Sequence, residues 1–311
     1  MQVDAVMCST LGQSLRQCIA GVGGRLRQSG GPSARPAARG YDSRMPATLD
    51  PQLVSRLRAA GCVFAEDEAT LLLEAVVGRA DAADELERLV ARRVAGEPLE
   101  QLLGWAEFAG RRIVVEPGVF VPRRRTEFLA AEAARLARAA AAGGHVPVVV
   151  DLCCGAGAIG AAIADAAGPI DLVAADLDPA AVRAARRNLE PLGGRVFAGD
   201  LFTALPAELH GRVDVLAVNA PYVPTAEIMM MPLEARDHEA TIALDGGADG
   251  LDVHRRVAAS AAGWLAHGGA LLIETSARQA PTTAALVAAG GLEPEIVSDE
   301  EIGGTVVIGR A

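Results

Sequence analysis

The sequence predicts an α/β fold: a mainly parallel sheet covered by helices on both faces, preceded by a small helical domain. Three observations carry this. From Pro147 onward, short apolar runs alternate with helical patterns, as in a sheet whose strands are joined by crossover helices. The first of these runs leads into a glycine-rich turn, Asp151-Leu152-Cys153-Cys154-Gly155-Ala156-Gly157-Ala158-Ile159-Gly160. Between residues 46 and 95 the apolar spacing is that of helices.

Residues 1–45 are rich in Gly, Ser, Pro and Arg without an apolar period, and are expected to form a disordered arm. Met45 precedes Pro46-Ala47-Thr48-Leu49-Asp50, which reads as a natural beginning. Asp50-Pro51 supplies an N-cap and a first-turn proline, with Leu53, Leu57 and Ala60 on one face and Gly61 at the end. Leu71, Leu72, Ala75 and Val76 mark a second helix over 67–78, and Leu86, Leu89 and Val90 a third over 82–94. The domain 46–95 is expected to recognise the substrate. Residues 96–125 read as a connector whose Arg112–Glu116 and Val119–Val121 form a hairpin around Pro117-Gly118.

Pro122 to Glu127 opens an Ala-rich helix to Ala142, with Thr126 as its cap, and begins the domain 126–311. Strands are expected at Pro147–Leu152, Asp171–Ala175, Arg195–Ala198, Val213–Val218, Gly269–Glu274, Glu295–Ser298 and Thr305–Gly309. Helices are expected over 158–167, from Asp178-Pro179 to Leu189, along Leu251, Val257, Ala261 and Leu265, and over 279–289.

Composition narrows the function. Of 311 residues 51% are apolar but only 3% aromatic, so the core is built from many small side chains. No apolar run is long enough for a membrane span. Five cysteines, an odd count with no CxxC pair, suggest neither a disulfide framework nor a zinc site and point to a reducing, cytoplasmic compartment. A net charge of −10, with arginine as the basic residue throughout, argues against nonspecific coating of nucleic acid, although a local Arg patch remains compatible with RNA. Nothing demands more than a monomer.

The glycine turn satisfies G-x-G-x-x-G, which alone would suit NAD. Gly155 and Gly157 allow a ligand to approach the backbone. Asp151 at the strand end suits a cationic amino group and would face a pyrophosphate badly. Asp176, at the tip of the next strand, is placed to accept both ribose hydroxyls, a feature NAD sites share. Together the two acids favour S-adenosylmethionine. Asp200 after the third strand can receive an adenine amino group while Leu201 packs on the ring; a solvated loop aspartate accounts for it equally. Asn219-Ala220-Pro221-Tyr222 closes the strand Val213–Val218. It sets an amide, a rigid turn and an aromatic face on one rim, suited to a flat nitrogen-bearing substrate, although a simple turn has the same residues. Cys153 and Cys154 read as small packing residues, and Arg123–Arg125 as a solvated face beside the site.

These motifs resemble the class I S-adenosylmethionine-dependent methyltransferases. Gly96-Glu97-Pro98, Gly104, Glu107-Phe108, Val121-Pro122-Arg123 and Thr126-Glu127 look like one branch, the protein-(glutamine-N5) methyltransferases that modify peptide-chain release factors. The resemblance runs from about residue 50 to 311. It implies a Rossmann-like seven-stranded sheet behind a small helical substrate-recognition domain. Carried over by position, Cys153, Gly155 and Gly157, with Asp151 beside them, would form the cofactor loop. Asp176 would hold the ribose, Asp200 and Leu201 the adenine. Asn219, also beside the cofactor, would hold the target amide together with Ala220, Pro221 and Tyr222. The expected partner is then a protein such as a release factor. The chain departs from the pattern at Ala220, where the family has proline, at Cys153, where it has glycine, at Leu201, where an aromatic is common, and at Arg124-Arg125. Such a tetrad also occurs in adenine-N6 methyltransferases of RNA and DNA, so those enzymes, and a cofactor-binding module without turnover, stay open as alternatives.

Overall fold

The computed structural model describes residues 49–311; the arm expected over 1–45 and the start expected at Met45 lie outside the described residues. The chain divides into two units, one ending at Gly96 and the other running from Glu97 to Ala311.

The first unit contains α1 (Pro51–Ala59), α2 (Ala65–Val76) and α3 (Ala82–Val94). The Asp50 side chain accepts from the Gln52 N–H at 2.9 Å, the cap that Asp50-Pro51 announces. Leu57, Ala65, Ala69 and Leu72 are completely buried. Arg93 Nε donates to Glu68 Oε2 at 2.6 Å with both side chains buried. Removing either partner would strand a charge in the interior.

The second unit opens with α4 (Leu99–Leu103) and an antiparallel hairpin of β1 (Trp105–Phe108) and β2 (Arg111–Val114). The expected hairpin was therefore placed one element too late. The turn is Ala109-Gly110, with φ of 51° and 77°, the two positive values that a two-residue hairpin turn favours. Val119 and Val121 are buried without being a strand; the Val121 N–H donates to the Glu239 carboxylate at 3.2 Å.

The remaining elements are α5 (Glu127–Ala141), β3 (Val148–Leu152), α6 (Ala158–Ala167), β4 (Asp171–Asp176), α7 (Pro179–Leu189), β5 (Arg195–Ala198), β6 (Val213–Val218), α8 (Leu233–His238), α9 (Asp252–Ala261), β7 (Leu265–Glu274), α10 (Ala280–Ala289), β8 (Glu293–Asp299) and β9 (Gly304–Arg310). Leu265, expected on a helix, starts β7 instead. The seven strands lie in the order β5-β4-β3-β6-β7-β9-β8. The first five are parallel and β9 runs antiparallel to β7 and β8. This is the expected class I sheet. The chain leaves β3 toward β5, then returns to β6 on the other side of β3. That reversal makes a switch point, outside which ligands bind in open α/β sheets.

Strand alternation builds two cores. Val149, Ala174, Val215, Ala217 and Leu272 meet α5, α6 and α7 on one face. Val150, Leu152, Val173, Leu216, Val218 and Ile273 meet α9 and α10 on the other. The covering helices present alanines such as Ala133, Ala137, Ala161 and Ala184, all with no exposed surface. Small side chains let these helices lie close to the sheet, which explains how so few aromatics suffice.

Candidate active site

The sequence motifs converge on the carboxyl ends of β3, β4, β5, β6 and β7. On the first three, the glycine loop closes by backbone contacts. Cys154 N–H donates to Ala175 O at 3.1 Å, and Gly157 N–H to Cys154 O at 2.7 Å. Cys153 sits at φ 58°, a left-handed conformation that favours glycine, so its departure from the family residue carries local strain. Burial, followed by the charges of Asp176 and Asp151, pushes the Cys153 thiol up. Cys154 shifts the same way, chiefly by burial. Neither is an activated nucleophile.

The two loop glycines differ. A Cβ on Gly155 would meet nothing within 4 Å, whereas one on Gly157 would lie 2.9 Å from the Leu189 side chain. Gly157 is thus required by the packing of α7 on the loop, not by ligand approach as the motif suggested. Asn188 locks the same contact. Its Nδ2 donates to Ala156 O at 2.8 Å and to Val114 O at 3.0 Å, and its Oδ1 accepts from the Val114 N–H at 2.9 Å.

Asp176 stands at the tip of β4, partly exposed. Its Oδ2 accepts from the Gly155 N–H at 2.8 Å and its Oδ1 from the Asp178 N–H at 2.9 Å. The carboxylate is held rigidly and retains lone pairs for a ligand. Burial raises its pKa against these two hydrogen bonds.

Asp151 is placed differently from expectation. It has no exposed surface. Its Oδ2 accepts from the Gly160 N–H at 2.8 Å, and its Oδ1 has no hydrogen-bond partner. Burial pushes its pKa up to about 8 despite the Gly160 bond, and the Asp176 charge adds to the rise. The side chain props the loop and α6 from beneath instead of presenting a charge at the open face, because the turn folds over it.

Asp200 and Leu201 follow β5. Arg256 of α9, a residue the sequence reading missed, donates from Nη2 to Asp200 Oδ2 at 2.6 Å. Leu201 has φ 50°, which turns the chain so that both residues stay partly exposed.

On β6 and β7 the site is made of side chains. Asn219 Nδ2 donates to Thr126 Oγ1 at 3.4 Å. Tyr222 OH donates to Glu274 Oε1 at 3.3 Å, and Arg125 Nε donates to the same oxygen at 3.4 Å. Gln279 Nε2 donates to Tyr222 O at 3.0 Å and to Asp249 O at 3.2 Å, anchoring the tetrad's turn. Burial raises the Tyr222 hydroxyl's pKa and the Glu274 charge adds to it. Burial likewise raises Glu274, opposed by Arg125 and the Thr126 hydroxyl.

Two expectations fail here. Thr126 makes no side-chain cap to α5; it is buried and turned to Asn219. The Arg123–Arg125 run is not a solvated face. Arg123 Nη2 donates to the buried Glu239 at 2.5 Å, and Arg125 is paired with the buried Glu274. Thr126, Arg125, Glu274 and Gln279 lie far apart in sequence from the tetrad, so no local motif announces them.

Comparison with known proteins gives the rim its context. The methyltransferase small domain model matches residues 112–238. A release factor glutamine methyltransferase of Geobacter sulfurreducens is 40% identical over 62% of this chain and 66% of its own length. One of Bradyrhizobium diazoefficiens is 36% identical over 77% of this chain and 85% of its own length. The chain belongs to the release factor glutamine methyltransferase family. A 4-amino-L-phenylalanine/4-methylamino-L-phenylalanine methyltransferase of Streptomyces pristinaespiralis is 39% identical over 65% of this chain and 69% of its own length, so relatives differ in their acceptors. The chain is an S-adenosyl-L-methionine-dependent methyltransferase. The donor set fits that cofactor: an oriented carboxylate on β4, a loop open at Gly155, and a polar and an apolar group after β5 share one rim. No helix among the described residues is long and apolar enough to cross a membrane.

Proposed function

We propose that the chain methylates the side-chain amide nitrogen of glutamine in a protein such as a peptide-chain release factor. The observation that carries this is the placement of Asn219, Ala220, Pro221 and Tyr222 on β6, beside the cofactor loop on β3. The release factor enzymes among its relatives support the same reading. When bound, S-adenosyl-L-methionine supplies a methyl group activated by its sulfonium. Cys153, Gly155 and Gly157 would line its place, with Asp176 holding the ribose and Asp200 and Leu201 the adenine; Asp151 would act through the loop.

An amide nitrogen is a poor nucleophile because its lone pair is shared with the carbonyl. It must therefore be held in line at near-attack distance. Asn219 Oδ1 and the carbonyl of residue 220 each accept one hydrogen of the target amide. Two acceptors below the plane favour a pyramidal nitrogen and fix its axis. Pro221 sets the turn and Tyr222 covers the amide face. The buried surroundings of the tetrad keep water from competing for the same acceptors. No strong general base faces the clamp; the amide proton leaves after transfer. Residues 46–95 would recognise the protein substrate, and the reaction would take place in the cytoplasm, where release factors work.

A second reading, transfer to an aromatic amine, is favoured by the Streptomyces relative and by the departure at Ala220. Tritiated-methyl transfer into release factors, total tRNA and rRNA, and 4-aminophenylalanine separates the readings. Label in a release factor glutamine is expected. Label only in RNA or in the free amino acid would overturn the proposal, and cofactor binding without any transfer would leave a binding module.

A further inference from the structure

The clamp works in only one orientation of Asn219. Its side-chain oxygen must face the substrate, and a flip of the amide would present two donors to an amide that itself needs acceptors. We propose that Thr126 and Glu274 are positioning residues that set this orientation. The inference rests on the reaction proposed above.

Three features converge. Thr126 is 3% exposed and Glu274 2% exposed, so both polar groups are held away from water, a cost that needs a return. Thr126 Oγ1 is the partner of Asn219 Nδ2 at 3.4 Å, a long bond of the kind that tightens when a site fills. Glu274, at the end of β7, gathers Tyr222 OH and Arg125 Nε on Oε1, while Oε2 is buried without a partner. The Thr126 hydroxyl faces this carboxylate and favours its ionised form.

A hydroxyl has one hydrogen. With that hydrogen directed at a carboxylate, which only accepts, the oxygen of Thr126 is left as an acceptor. It then takes an N–H from Asn219 and repels Oδ1. Glu274 thereby sets the polarity of the chain Asn219–Thr126–Glu274 and, through Tyr222, positions the aromatic cover from the same carboxylate. Arg125 holds the carboxylate in place. A helix cap would be the ordinary role for a threonine at the start of α5, but Thr126 makes no such bond.

The sequence offers a direct probe, because Asn188 and Asn219 are its two asparagines. In the full-length protein labelled with 15N-asparagine, two side-chain amide pairs are expected, and Asn219→Ala assigns them. Thr126→Val should shift or broaden the Asn219 pair and leave the Asn188 pair, bonded to Val114 and Ala156, where it is; Thr126→Ser should restore it. In tritiated-methyl transfer to a release factor, Thr126→Val should lower kcat by about tenfold or more. KM and calorimetric affinity for S-adenosyl-L-methionine should stay within about threefold, and Thr126→Ser should recover most of the rate. Glu274→Gln, which can donate to Thr126, should move the Asn219 pair as well and covers the case in which Thr126→Val fails to fold. An Asn219 pair unmoved by both variants, or a kcat of Thr126→Val equal to that of the wild type, would overturn the inference. Lack of transfer by the wild-type protein would sink the proposed substrate instead, and the resonance measurement still decides the orientation.

Discussion

The two halves of the rim are held together by different means. On β3, β4 and β5, backbone N–H groups meet carboxylates a few residues away in the chain or one strand over: Gly155 and Asp178 on Asp176, Gly160 on Asp151. On β6 and β7, side chains meet side chains across long separations, with Thr126 and Asn219 93 residues apart and Tyr222 and Glu274 52 apart. A backbone-built half tolerates many side chains provided the turn forms. A side-chain-built half depends on each member, since a buried group left unpaired costs more than the bond was worth.

The largest expected effect therefore lies on the acceptor half. Asn219→Ala should lower methyl transfer by at least about 100-fold, with S-adenosyl-L-methionine affinity by calorimetry nearly unchanged. Substantial residual transfer would remove Asn219 from the clamp and erase the contrast between the halves.

On the cofactor half the strongest lever is Asp151, and it acts on stability. Its folded-state pKa of about 8 lies far above that of an unfolded aspartate. The folded protein therefore holds a proton that the unfolded chain has released. The stabilising contribution is fully present below about pH 4 and is lost as pH rises toward 8, by on the order of a few kcal/mol. Asp151→Asn keeps an acceptor for Gly160 and removes the titration. Urea denaturation from pH 5 to 8.5 should show a flatter pH dependence for the variant than for the wild type; parallel curves would mean that Asp151 does not govern it.

Asp176→Ala should weaken S-adenosyl-L-methionine binding by about tenfold or more, the loss of a charged hydrogen-bonding partner. Part of that loss would come through the loop, because Asp176 also holds the Gly155 N–H. Unchanged affinity would exclude the ribose role.

The same contrast decides what the sequence reveals. The glycine turn, Asp176 and the helix that Asp178 caps are local patterns, so they were legible, as were the strand Val213–Val218 and the sheet's alternation of strands and helices. Asp151 was found in the right place with the wrong exposure, because a motif gives position along the chain and not the depth to which a turn buries it. The hairpin was misplaced because Pro117-Gly118 is a stronger turn signal than Ala109-Gly110, although only the latter turns with two positive φ values. Arg125, Thr126, Glu274, Gln279 and Arg256 each read as ordinary surface, cap or strand-end residues. Their roles arise from strand order, which no local pattern encodes.

The smallest effect expected is also the sharpest probe of the acceptor half. Ala220 is 1% exposed and packs in the core beneath the site, and it stands where the family pattern has proline. If position 220 serves through its carbonyl, alanine supplies the same acceptor and lacks only the locked φ. Proline there would also hold Asn219 in extended backbone. Ala220→Pro should then change kcat on a release factor by no more than about threefold, in line with the modest entropy that one proline removes. A collapse of activity toward the release factor, with 4-aminophenylalanine still methylated by the wild type, would show a different result. The tetrad would be shaped around the alanine for another acceptor, and the orientation set by Thr126 and Glu274 would serve that substrate instead.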